Sequence, residues 1–99
     1  MNQDFNVNSP VINKMMVYVE PDCKSCEKVK MTVEKMYRQK LIMDLLIINR
    51  TEQPELCNDA GIVIYPAVFI DGELTFYGEF SIEDALKYAK PSSGKSIKN

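Results

Sequence analysis

The chain has 99 residues, of which 45% are hydrophobic and 26% charged, with a formal net charge of −2. Those proportions suit one globular domain with a single core, and they exclude collagen-like, low-complexity and disulfide-dense mini-protein classes. With Lys+Arg at 12 and Asp+Glu at 14 there is no field to draw in nucleic acid or an anionic membrane, and the absence of histidine removes the commonest general base and metal ligand.

Residues 1–13 read as a polar leader, loosely docked or frayed. Met1 to Pro10 has one acid, no base and no apolar run, so it lacks the form of a secretory signal. Met15-Met16-Val17-Tyr18-Val19 is rich in β-formers and does not alternate, which predicts a strand buried on both faces and ended by the turn Glu20-Pro21-Asp22. From Cys23 to about Gln39 the period changes. Cys26, Val29, Val33, Met36 and Tyr37 form one apolar stripe, and Asp22 is the expected N-cap of an amphipathic helix. Met31 and Met36 read as core filler rather than metal ligands.

Leu41 to Asn49 is a second apolar run, interrupted by Asp44 and far short of the ~20 residues of a membrane span. It predicts a buried strand, parallel to the first, in a βαβ unit. A short helix is expected over Gln53 to Ala60, with Pro54 in its first turn and Gly61 after it. Pro66 to Ile70 is a third strand, and Asp71-Gly72 turns it into a fourth over Leu74 to Tyr77. Ser81-Ile82-Glu83-Asp84 starts a last helix, with Ala85, Leu86 and Ala89 on its apolar face and Pro91 as its stop. The organisation expected is a leader over 1–13, one domain over 14–90 and a disordered tail over 91–99. The order β-α-β-α-β-β-α predicts an α/β fold, a four-stranded mixed sheet with flanking helices.

The chemistry-bearing motif is Cys23-Lys24-Ser25-Cys26, directly after the first strand and opening the first helix. There the first N–H groups lack intrahelical partners and the dipole's positive end favours a thiolate. Lowering a thiol pKa from ~8.5 toward neutrality is what makes it a fast nucleophile. Lys24 and Lys28 assist that shift, while Asp22 and Glu20 oppose it. Cys26 begins the apolar stripe and is expected to be the more buried, so Cys23 is the candidate nucleophile and Cys26 the resolving thiol. Cys57 has no partner at Cys-x-x-Cys spacing and reads as a small buried residue.

On these residues the chain resembles the thioredoxin-fold redoxins from roughly Lys14 to Lys90. Three stretches carry the likeness: Val17 through Cys26, Gln53 through Pro66, and Pro66-Ala67-Val68-Phe69-Ile70-Asp71-Gly72-Glu73. The resemblance implies a thioredoxin-like fold and a cis peptide bond before Pro66, which faces the cysteine pair. It also implies that the backbone of Tyr65 pairs with a bound substrate. The implied activity is thiol-disulfide exchange, with protein disulfides as substrates and an upstream reductase as electron source. No cofactor or metal is expected, and the protein is expected to be a cytoplasmic monomer with no nucleic-acid or membrane partner.

There are also departures. Lys24-Ser25 stands between the cysteines where thioredoxins have Gly-Pro, there is no Trp, and Val17 occupies the place of their buried acid. The size is closer to glutaredoxins, yet Gly78-Glu79-Phe80-Ser81 matches their glutathione-binding stretch only in part, so glutathione use is doubtful. Two other classes share the pair: a copper(I) carrier holding the metal between two thiolates, and a redox-inactive interaction domain. A structural zinc site is weaker, since 3 cysteines and no histidine cannot supply four ligands.

Overall fold

The computed structural model describes residues 10–91. The strand β1 (Pro10–Val19) is the spine of the sheet. Along it Met15, Val17 and Val19 face one way and Met16 and Tyr18 the other, as a two-residue period requires. The first set packs with Cys26, Val29, Val33 and Met36 of helix α1 (Lys24–Arg38). Burying each of Val29, Val33 and Met36 is worth about 1.5–3 kcal/mol. The second set packs with Ile48 of β2 (Ile42–Asn49) and Cys57 of α2 (Pro54–Asp59). Two apolar layers therefore sandwich the sheet, and no polar or charged residue is buried among the described residues.

After α2 the chain makes the hairpin of β3 (Ala67–Ile70) and β4 (Glu73–Tyr77), then α3 (Ile82–Leu86) and β5 (Lys90–Pro91). The strand order is β2-β1-β3-β4, with β1 parallel to β2 and antiparallel to β3, so the expected four-stranded mixed sheet is present. Asp71 and Gly72 turn the hairpin with φ of 51° and 88°, the left-handed pair that a tight two-residue turn of this hand needs. Asp71 also ties the turn to β1: its N–H donates to the Lys14 carbonyl and its carboxylate accepts from the Lys14 N–H, both at 2.9 Å.

Several details depart from the sequence expectation. β1 opens at Pro10 rather than Met15, so residues 10–13 of the expected leader lie in the sheet and Ile12 is fully buried. Residues 1–9 lie outside the described set. The partners that extend the strand are remote: Ile12 pairs with Ile42, and Pro10 and Val11 pair with β5. Pro91 therefore belongs to a fifth, two-residue strand and does not stop a helix; α3 ends at Leu86. The rest of the expected tail, residues 92–99, lies outside the described residues.

β2 is an edge strand, so Met43 and Leu46 are exposed instead of buried. Tyr37 and Met31 also stand at the surface, leaving Met36 as the core methionine of α1. Asp22 does not cap α1. The Cys23 carbonyl accepts the first helical bond, from the Glu27 N–H at 3.1 Å, which makes Cys23 the cap residue. Asp22 sits one place too early, at φ 55°.

Candidate active site

The site begins where β1 leaves the sheet. Glu20, Pro21 and Asp22 turn the chain, and Cys23 takes an extended conformation at the head of α1. Its sulfur accepts the Cys26 N–H at 3.1 Å, in the position a serine or aspartate oxygen takes in an ordinary helix cap. The two cysteines form a disulfide across one helical turn, with Cα atoms 5.1 Å apart. They differ in access. Cys26 is wholly buried in the α1 layer, whereas Cys23 is half-buried at the rim of a shallow recess that Asp22, Lys24 and Glu27 also line.

The Tyr65–Pro66 peptide bond is cis and leads into β3. Pro66 is buried, and its carbonyl accepts the Gly78 N–H at 2.9 Å. Tyr65 packs on both core layers, sharing one of them with Cys23. Its hydroxyl donates to the Ile62 carbonyl at 3.4 Å, and the Arg50 guanidinium lies 5.9 Å from the centre of its ring. Arg50 in turn pairs with Glu20 at 3.0 Å. Burial raises the Tyr65 phenol pKa to about 12, helped by the sulfur of Cys57 beside it and opposed by Arg50. Among the described residues no backbone hydrogen bond outside the helices and strands uses the N–H or C=O of Val63, Ile64 or Tyr65. The side chains of Val63 and Ile64 are 81% and 54% exposed.

Cys57 is a buried free thiol in the layer opposite α1, in a different apolar cluster from Cys26. Three contacts of the site have no signal in the sequence: Glu20 with Arg50, Arg50 with Tyr65, and Ser25 with Glu79, whose carboxylate accepts the Ser25 hydroxyl at 3.4 Å. Each joins segments that only the sheet topology brings together. Among the described residues no three His, Cys, Asp or Glu side chains gather as a metal-ligand group, and no helix is long and apolar enough to cross a membrane.

The family described as "Thioredoxin domain" matches residues 13–89. No curated protein sequence matches the chain. Among solved structures, the J-Trx1 fragment of ERdj5 superposes with a TM-score of 0.64 at 21% identity, over 86% of this chain and 43% of that one. The NTD_N/C domain of the alkylhydroperoxide reductase AhpF from Enterococcus faecalis gives 0.63 at 19% identity, over 88% of this chain and 43% of that one. The Trx4 domain of ERdj5 gives 0.53 at 20% identity and covers 89% of both chains. The chain thus spans less than half the length of the first two, and these likenesses speak for the fold.

Proposed function

The chain belongs to the thioredoxin domain family, and from that premise we propose that it is a thiol-disulfide oxidoreductase that reduces disulfides in partner proteins. The observation that carries the reading is the Cys23 sulfur at the head of α1, accepting an amide N–H and joined to the buried Cys26. In the reduced protein that N–H and the helix dipole favour the Cys23 thiolate. The dipole contributes about 0.3–1 kcal/mol, and a full pKa unit corresponds to about 1.4 kcal/mol, so the flanking charges share in the shift.

The cycle balances in two exchanges. The Cys23 thiolate attacks one sulfur of the substrate disulfide. A bond forms between the two sulfurs as the substrate S–S bond breaks, and the departing substrate thiolate takes a proton from water. Cys26 then gives up its proton to solvent and its sulfur attacks that of Cys23. The Cys23–Cys26 disulfide forms, and the second substrate thiolate leaves. Two electrons have passed to the substrate, and a dithiol reductant returns two electrons and two protons to the pair. The burial of Cys26 reserves the first attack for Cys23.

Substrate docking falls to the Tyr65–Pro66 segment, where the uncommitted backbone of Tyr65 suits a short strand-like pairing and Val63 and Ile64 supply apolar contact. A reducing compartment such as the cytoplasm suits the cycle, because there the pair returns to the dithiol. The test is reduction of a disulfide-linked peptide with dithiothreitol as donor. Cys23→Ser is expected to fall to the rate of dithiothreitol alone, and reduced Cys26→Ser, freed of dithiothreitol before the peptide is added, to accumulate a mixed disulfide at Cys23. Full activity in Cys23→Ser would overturn the reading.

A further inference from the structure

The loop between β4 and α3 is fixed on both sides of Glu79. Before it, the Gly78 N–H donates to the carbonyl of Pro66 at 2.9 Å, with Gly78 at φ 88°. After it, the Phe80 ring stacks on Phe76 at 4.5 Å and packs against the α1 layer. Glu79 itself accepts the hydroxyl of Ser25, a residue standing between the two cysteines. A carboxylate from the far end of the chain is thus tethered to the cysteine turn by a loop that also holds the cis-proline.

We propose that Glu79, acting through Ser25, is a positioning residue that sets the proton affinity and redox poise of the Cys23–Cys26 pair. The proposal rests on the oxidoreductase reading above. The physical basis is like-charge repulsion: a fixed anion beside the cysteine turn disfavours the Cys23 thiolate, raises its pKa, and so makes the dithiol the stronger reductant.

The other charges that meet the turn divide by element. From α1 come Lys24 and Lys28, which favour the thiolate, and Glu27, which opposes it. Asp22 precedes the pair and also opposes it, while the Glu20 charge at the end of β1 is taken up by Arg50 of the β2–α2 loop. The cis-proline segment contributes the neutral phenol of Tyr65. No ion pair among the described residues takes up Glu79, so solvent and salt alone screen its charge at the turn. The thioredoxin resemblance placed an apolar residue, Val17, where those proteins carry a buried acid, and Val17 is fully buried here. Glu79 brings a carboxylate to Ser25, the residue beside Cys26, from outside the core.

The experiment is the pH dependence of Cys23 alkylation by iodoacetamide in the reduced full chain, read at that residue by mass spectrometry. It is paired with the midpoint potential at pH 8 by equilibration with thiol-disulfide buffers. Glu79→Gln keeps a hydrogen-bonding group and removes the charge. It is expected to speed alkylation about threefold at a pH below the thiol pKa, which corresponds to about half a pH unit at tenfold per unit, and to move the potential in the oxidising direction. Ser25→Ala releases the tether while keeping the charge and is expected to shift both in the same direction by less. Unchanged alkylation and potential in Glu79→Gln, or a slower alkylation, would overturn the proposal while leaving the activity standing. A wild-type chain with no reversible two-electron couple would overturn the oxidoreductase reading and this proposal with it.

Discussion

The hydroxyl of Tyr65 bonds back into its own loop, at Ile62, while its ring bridges the two apolar layers and lies beneath Arg50. Burial, and then the neighbouring Cys57 sulfur, hold the phenol neutral up to about pH 12. Burial and Cys57 also raise the Tyr18 phenol on the same face of the sheet. The sign of the pH effect follows from linkage. The folded state binds the Tyr65 proton more tightly than the unfolded chain, whose phenol titrates near 10. The stabilisation is therefore fully present below pH 10 and is lost as pH rises through 12. Urea unfolding of wild type is expected to show a midpoint falling across that window, and Tyr65→Phe to flatten the fall, leaving the part owed to Tyr18. An equal alkaline fall in both proteins would show that the Tyr65 hydroxyl is not held as described.

β1 and the C-terminal end of α1 show what elements add beyond single residues. Ile12 lies in a stretch whose Pro10, Asn13 and Lys14 look like a solvated approach to the strand, and it becomes core only because Ile42 lies beside it and β5 lengthens the sheet. Ile12→Ala is expected to cost about 2–5 kcal/mol by denaturant melting, where a leader residue would cost almost nothing. At the end of α1 the Leu41 N–H reaches back to the Met36 carbonyl at 2.9 Å and the Lys40 N–H to that of Tyr37 at 3.0 Å. This is the paired closure that usually places glycine at the left-handed position. Here Lys40 holds that position at φ 63°. Lys40→Gly relieves the left-handed strain of a residue with a Cβ and gives back some of the gain as unfolded-chain entropy. The expected net is a stabilisation of about 0.5–1 kcal/mol, measurable as a raised denaturation midpoint.

At the scale of the whole molecule, what the sequence made legible was local. The stripe Cys26, Val29, Val33 and Met36 announces a helix and its buried face, and Asp71-Gly72 announces the hairpin, because each needs only neighbouring residues. The cysteine pair is readable for the same reason, but its cap lies one residue later than the side chains suggest, since it is decided by backbone conformation, left-handed at Asp22 and extended at Cys23. The cis bond before Pro66 came from family likeness, and nothing in the flanking side chains required it. Illegible were the features made by closure of the sheet: the edge position of β2, the pairing of Pro10 with Pro91, and the meeting of Ser25 with Glu79 across 54 residues. No periodicity encodes a contact at that separation. It is fixed by where the strands stop.

The wholly apolar character of the buried layers has a corollary. The groups around the cysteine turn that carry charge, Asp22, Lys24, Glu27, Lys28 and Glu79, are all exposed and lie outside the two apolar layers. Exposed substitutions of this kind usually alter stability by less than about 0.5 kcal/mol. If Glu79 acts as proposed, the charge beside the cysteine turn is open to change at little cost to the scaffold, because the side chains that carry it lie outside both packed layers.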